Sequence, residues 1–135
     1  MPFPAACPEV PVSQLAAALQ YYRDKLGFSV DWSDEALGLA GLSQGDCRLF
    51  MASADYRAGL GNRGPTVLWV NFTSRGDVDT LFEQWRRAGA KTSTRPEAKP
   101  YKLYEFLAED LDGNILRVFY DFAWEERGEA GASQA

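Results

Sequence analysis

Val12-Ser13-Gln14 opens a helical pattern of Leu15, Ala18, Leu19, Tyr22 and Leu26 that closes at Gly27. About sixty residues later Phe72-Thr73-Ser74 opens another, of Val78, Leu81, Phe82, Trp85 and Ala88, closing at Gly89. The correspondence continues beyond the helices. Gly45-Asp46 before Arg48-Leu49-Phe50-Met51 matches Gly113-Asn114 before Leu116-Arg117-Val118-Phe119. A unit this short has too little apolar surface to close a core alone. The two copies are therefore expected to pack about a pseudo-twofold axis, with a cleft at the seam.

Residues 1–7 form a Pro- and Ala-rich arm, and Glu9–Val12 reads as a short strand whose prolines suit an edge. Ser13 is expected to cap a helix over about Gln14–Leu26, stopped by a left-handed Gly27. Strands follow at 28–32, 37–42 and 47–52. Ser53–Pro65 has no period and reads as a connector. The second copy gives a strand at 66–72 and a helix at 77–88 behind the Ser74/Asp77 capping signal. A short strand near 91–94 comes next, then a loop with Pro96 and Pro100, and a hairpin of 103–109 and 115–121 around Asp112-Gly113-Asn114. The fold class is α+β: one domain over 7–122 made of two βαβββ modules, about 7–53 and 66–122. The tail at 123–135 lacks an apolar face and is expected to be disordered.

Bulk composition narrows the functions available. Hydrophobic content of 46%, with four Trp, six Tyr and eight Phe, excludes a disordered chain. A net charge of −5 disfavours nucleic acid and anionic membrane surfaces, and favours a cationic ligand. No apolar stretch approaches the roughly 20 residues of a membrane span, and the first residues lack a secretory pattern, so a cytoplasmic location is expected. There Cys7 and Cys47, outside any CxxC spacing, are read as reduced, small hydrophobes.

The chain has no histidine, which removes Ser-His-Asp and Cys-His catalysis, imidazole zinc sites and the two-His-one-carboxylate iron site. Asp34, Glu35, Asp77, Asp79, Asp110 and Asp112 sit at turns and helix starts, where capping accounts for them without a metal. Neither a GxGxxG turn nor a phosphate-binding GxxxxGK[ST] loop occurs. What remains is aromatic. Trp32, Trp69, Tyr101 and Tyr104 lie where strands can aim rings at a flat ligand, whereas Phe50, Phe106 and Phe119 read first as packing.

Pro11-Val12-Ser13, Tyr21-Tyr22-Arg23-Asp24-Lys25-Leu26-Gly27-Phe28, and Tyr104-Glu105-Phe106 followed by Asp110-Leu111-Asp112-Gly113-Asn114 together resemble the vicinal oxygen chelate superfamily of glyoxalases, extradiol dioxygenases, fosfomycin resistance enzymes and bleomycin resistance proteins. Leu26-Gly27-Phe28-Ser29-Val30-Asp31-Trp32, Asp46-Cys47-Arg48-Leu49-Phe50 and Leu68-Trp69-Val70 are most similar to the bleomycin resistance proteins. That resemblance implies a glyoxalase/bleomycin resistance/dioxygenase-like fold. It also implies a homodimer with exchanged N-terminal arms hinged at Pro8, and sequestration of an antibiotic-type small molecule, such as a cationic glycopeptide, without cofactor or bound metal. It carries over Trp32, Leu39 and Trp69 as ring or apolar positions of the drug groove, and with the residues read above the candidate ligand-binding set is Trp32, Leu39, Phe50, Trp69, Tyr101, Lys102 and Tyr104. Lys102 stands where those proteins place a groove tryptophan, and Leu39 where they have phenylalanine. The metal-ligand positions of the superfamily's enzymes fall on Cys7, Phe50, Val67 and Arg117. The resemblance also admits an enzyme, a lyase or isomerase using Glu105 and Tyr104 as acid and base, with or without a carboxylate-bound metal. Against this, Glu105 is read as the structural partner of Arg117 or Arg48.

Overall fold

A computed structural model of the chain describes residues 1–60 and 64–125. It divides into two units, Met1–Thr66 together with the turn Asp110–Asn114, and Val67–Glu109 together with the chain from Ile115 on. In the first unit, β1 (Glu9–Val12), α1 (Leu15–Asp24), β2 (Ser29–Asp34), β3 (Leu39–Gln44) and β4 (Cys47–Ser53) build a sheet of order β1-β4-β3-β2. The second unit contains β5 (Val67–Asn71), α2 (Arg75–Ala88), β6 (Lys91–Thr92), β7 (Glu97–Ala98), β8 (Leu103–Glu109) and β9 (Ile115–Asp121), in the order β5-β9-β8-β6 with β7 also on β8. In both sheets the first strand pairs parallel to the last, and every other pairing is antiparallel. The repeat read in the sequence is thus a repeat of topology. In register, Glu9 lies opposite Phe50 and Trp69 opposite Arg117.

Alternation along the strands gives each sheet a helix-covered face and an open one. In the first unit Val10, Val12, Ala40, Leu42, Leu49 and Met51 are buried, as are Leu15, Ala18, Leu19 and Tyr22 of α1. In the second, Phe106 is fully buried, with the rings of Phe82 and Trp85 from α2 edge-on to it at 5.3 and 5.7 Å. Ser74 caps α2 as expected, accepting from the Asp77 N–H, and Gly89 takes the left-handed conformation that ends it.

Three local expectations are corrected. Ser13 does not cap α1. Its N–H donates to Asp112 Oδ1, and the helix begins one residue later, behind Gln14, without a side-chain cap. The helix also stops earlier, at Asp24; Gly27 supplies the positive φ that lets the Phe28 N–H reach the Tyr22 carbonyl, a long closing bond of the kind that satisfies helix ends. The loop holding Pro96 and Pro100 contains β7, two residues long and therefore without period, laid on β8 by the turn from Lys99 to Lys102. The expected disordered tail lies outside the described residues beyond Glu125. Its first residues, 123–125, form a helical turn in which the Glu125 carboxylate takes both an Nε and an Nη bond from Arg75.

Asp110 organises the hairpin turn from within the first unit. One carboxylate oxygen accepts from the Asp112 and Asn114 N–H groups, the other from the Tyr22 hydroxyl and the Asn114 side-chain amide. Burial, and then the Asp110 charge, hold the Tyr22 phenol far above its ordinary pKa. A raised pKa means the neutral phenol is favoured in the fold, so this contribution is complete below about pH 10 and is lost as pH rises beyond it. The urea midpoint of the wild type is expected to fall between about pH 9 and pH 11, and that of Tyr22→Phe to fall less. Equal slopes would overturn the assignment.

Candidate functional site

The open face of the first sheet carries Leu39 and Gly41 of β3 and Phe50 of β4, with Gly41 directly opposite Phe50. A bulge between Val30 and Trp32 puts two residues of β2 against one of β3 and brings Trp32 opposite Gly41. The indole then lies across the glycine: a Cβ built at position 41 would stand 2.5 Å from Trp32 Nε1 and 2.8 Å from Cε2. The ring sits 5.9 Å from that of Phe50 and remains 43% exposed. Leu39 and Phe50 are half-buried. Gly41→Ala is expected to push the indole off its seat while costing only about 1 kcal/mol, since a side chain rather than backbone must yield. The Trp32 contribution to fluorescence, isolated by difference against Trp32→Phe, should shift. An unchanged spectrum would mean that the glycine does not set the ring.

The open face of the second sheet is built differently. Trp69 is 52% exposed, edge-on to Phe119 at 5.5 Å, with the Arg117 guanidinium 4.7 Å from its ring centre. On β8, Glu105 is 1% exposed although it carries a carboxylate. Arg117 Nε stands 2.8 Å from Glu105 Oε2, and the Tyr101 hydroxyl donates to Oε1. Glu105 is therefore the ion-pair partner of Arg117; Tyr101 occupies its Oε1, while Oε2 and Arg117 Nε approach closely without completing a hydrogen bond. Beside Phe119 a cleft of about 370 Å³ opens, with Phe72, Tyr120, Asp121 and Trp124 among its walls.

These contacts bring together Trp69, Tyr101, Glu105 and Arg117 on one face, and Trp32, Leu39 and Phe50 on another. Tyr104 belongs to neither. It follows the alternation of β8 to the helix side, where its hydroxyl donates to Asp79 Oδ1 at 2.6 Å and Arg75 lies 5.2 Å from its ring. Burial and then Asp79 push its phenol up to about 12. Lys102 adopts a positive φ of 70°, and its ammonium lies 5.9 Å from the Phe122 ring. Phe119, read as packing, is half-buried on the open face beside Trp69. The signal that finds it is its place two residues beyond Arg117 on the same strand.

The positions that the resemblance assigns to metal ligands carry Cys7, Phe50, Val67 and Arg117. Two of these side chains have no donor atom, and a third is a permanent cation beside Glu105. This donor set does not fit a divalent metal.

A family model for the Glyoxalase/Bleomycin resistance protein/Dioxygenase superfamily matches residues 6–118. Among solved structures, a bleomycin-binding protein from the bleomycin-producing Streptomyces verticillus, complexed with copper(II)-bleomycin, is 27% identical, with TM-score 0.68 over 87% of this chain and 96% of that one. Lactoylglutathione lyase from Agrobacterium tumefaciens is 17% identical, with TM-score 0.76 over 92% and 98%. TioX from Micromonospora sp. ML1 is 19% identical, with TM-score 0.71 over 87% and 99%. The last two likenesses show the fold alone. No curated protein matches the sequence. With the family model spanning both sheets, the chain belongs to the glyoxalase/bleomycin resistance protein/dioxygenase superfamily.

Proposed function

We propose that this protein binds and sequesters a planar, antibiotic-type small molecule without chemical change and without a metal. The superfamily holds both enzymes and binders. The observation that carries the choice is the second sheet's open face, where an exposed Trp69 lies against Arg117 at a position that enzymes of the fold would give to a metal ligand. The rings of Trp32 and Phe50 supply a second aromatic face in the first unit. A bleomycin-binding protein at 27% identity supports a ligand of the glycopeptide class. The net charge of −5 supports a cationic one. A homodimer with exchanged N-terminal arms, working in the cytoplasm, completes the proposal, and the route from sequestration to antibiotic resistance is direct.

The enzymatic alternative loses its acid–base pair. Tyr104 and Glu105 are consecutive on β8 and take opposite faces, Tyr104 with Asp79 of α2 and Glu105 with Arg117. They cannot act on one substrate atom. Each ring stacked on a ligand contributes about 0.5–1.5 kcal/mol beyond area burial, so Trp69→Ala should weaken binding about tenfold or more. Calorimetric titration of wild type and variant with a bleomycin-type glycopeptide and with planar cationic dyes tests this. Equal affinities, or binding that requires a stoichiometric divalent ion held by the protein, would overturn the proposal.

A further inference from the structure

We infer that the open face of the second sheet holds a subsite for a neutral, planar group with two adjacent hydrogen-bond acceptors, gripped by the outer edge of the Arg117 guanidinium in one layer over Trp69. The inference rests on the binding reading above and names the ligand chemistry of that same face.

Arg117 is constrained on two sides. Its Nε lies 2.8 Å from Glu105 Oε2 in an ion pair that completes no hydrogen bond, and its Cζ lies over the Trp69 ring, 4.7 Å from the ring centre. Among the described residues Glu105 is the one polar partner of the guanidinium, reached by Nε, which itself completes no hydrogen bond. A guanidinium carries five N–H donors in a plane, and with Nε beside Glu105 the edge between the two terminal nitrogens is left as a parallel pair of donors. That side chain is 30% exposed, so the edge is reachable, whereas Glu105 is 1% exposed and is also held by Tyr101. The carboxylate is thus an internal counter-charge rather than a ligand contact.

Charge then selects the ligand group. Glu105 balances Arg117, so the face offers direction without excess positive charge. A carboxylate ligand would have to share one guanidinium with a buried carboxylate, in a chain of net charge −5. A cationic group would meet the guanidinium itself. Neutral acceptors in a plane avoid both costs and match the donor pair one to one. A ligand coplanar with the guanidinium also continues its layer across the indole, which is 52% exposed. The positive charge favoured by the whole protein therefore belongs on a part of the ligand away from this subsite.

The test uses bicyclic probes of one size on the full chain: 1,8-naphthyridine, with two parallel ring nitrogens, quinoline, with one, and the anion 1-naphthoate. By calorimetry and tryptophan quenching, naphthyridine should bind about fivefold or more tighter than quinoline, the worth of one added hydrogen bond. Naphthoate should bind no better than quinoline. Arg117→Lys keeps the cation beside Glu105 but loses the planar fork, and should erase the preference for naphthyridine over quinoline. Naphthyridine and quinoline binding alike, naphthoate binding tightest, none of the probes binding, or a preference that survives Arg117→Lys would each overturn the inference. The binding reading stands if the glycopeptide or dyes still require Trp69, and falls with the subsite if they do not.

Discussion

Asp110→Ala is expected to lower the unfolding free energy by about 3–4 kcal/mol and Tm by about 10 °C, as read by urea and thermal denaturation. Four donors converge on this one carboxylate: the N–H groups of Asp112 and Asn114, the Asn114 side-chain amide and the Tyr22 hydroxyl. Asp110 is 7% exposed, and Tyr22 and Asn114 are fully buried, so water cannot replace the lost acceptor for either partner. Tyr22→Phe should cost only about 1 kcal/mol, because it removes one donor and leaves the turn intact. In the double variant the tyrosine should matter less still, since its partner has already gone. A loss below about 1 kcal/mol in Asp110→Ala would show that the turn holds itself without the carboxylate. Asn114 extends the same clamp. Its amide also donates to the Pro11 carbonyl, and its Oδ1 accepts from the Thr66 N–H, tying the turn to β1 and to the residue ahead of β5.

The motif Asp110-Leu111-Asp112-Gly113-Asn114 was legible as a turn, because Gly113 supplies a positive φ where a hairpin needs one. Its connection to Tyr22 and Ser13 was not, since partners 88 and 99 residues away leave no local pattern. The same division runs through the fold. Strands with strong alternation, β1, β8 and β9, have the bounds that their sequence predicts, and the Ser74 cap follows from residue type and spacing. Ser13 has the right type for a cap but is taken by a distant carboxylate. For the site, alternation already separates Tyr104 from Glu105, so their joint acid–base role contradicted the strand that carries them. The seat of Trp32 on Gly41 depends on a bulge at Asp31, where one extra residue resets which side chain meets the glycine.

Arg117→Met should be the most damaging single change on the second sheet's open face, at about 3–5 kcal/mol, because it leaves the Glu105 carboxylate buried with no cation. The reverse change is expected to be milder. Glu105→Leu strands a guanidinium that is 30% exposed and already rests on Trp69, so water and the indole can meet part of its need. Removing both charges together should recover most of the stability, since a buried pair exchanged for apolar side chains of similar volume loses its attraction and its desolvation cost at once. Glu105→Leu/Arg117→Met is therefore expected within about 1–2 kcal/mol of the wild type, and chemical denaturation of the four proteins closes the cycle. Losses that simply add would mean that the two groups do not act as a pair. Binding should part company with stability here. A refolded face without the guanidinium keeps Trp69 but lacks the donor edge, so ligand affinity should stay low in the double variant even as Tm returns. Retention of both would mean that the pair is only a structural strut, leaving Trp69 and Phe119 to do the recognising.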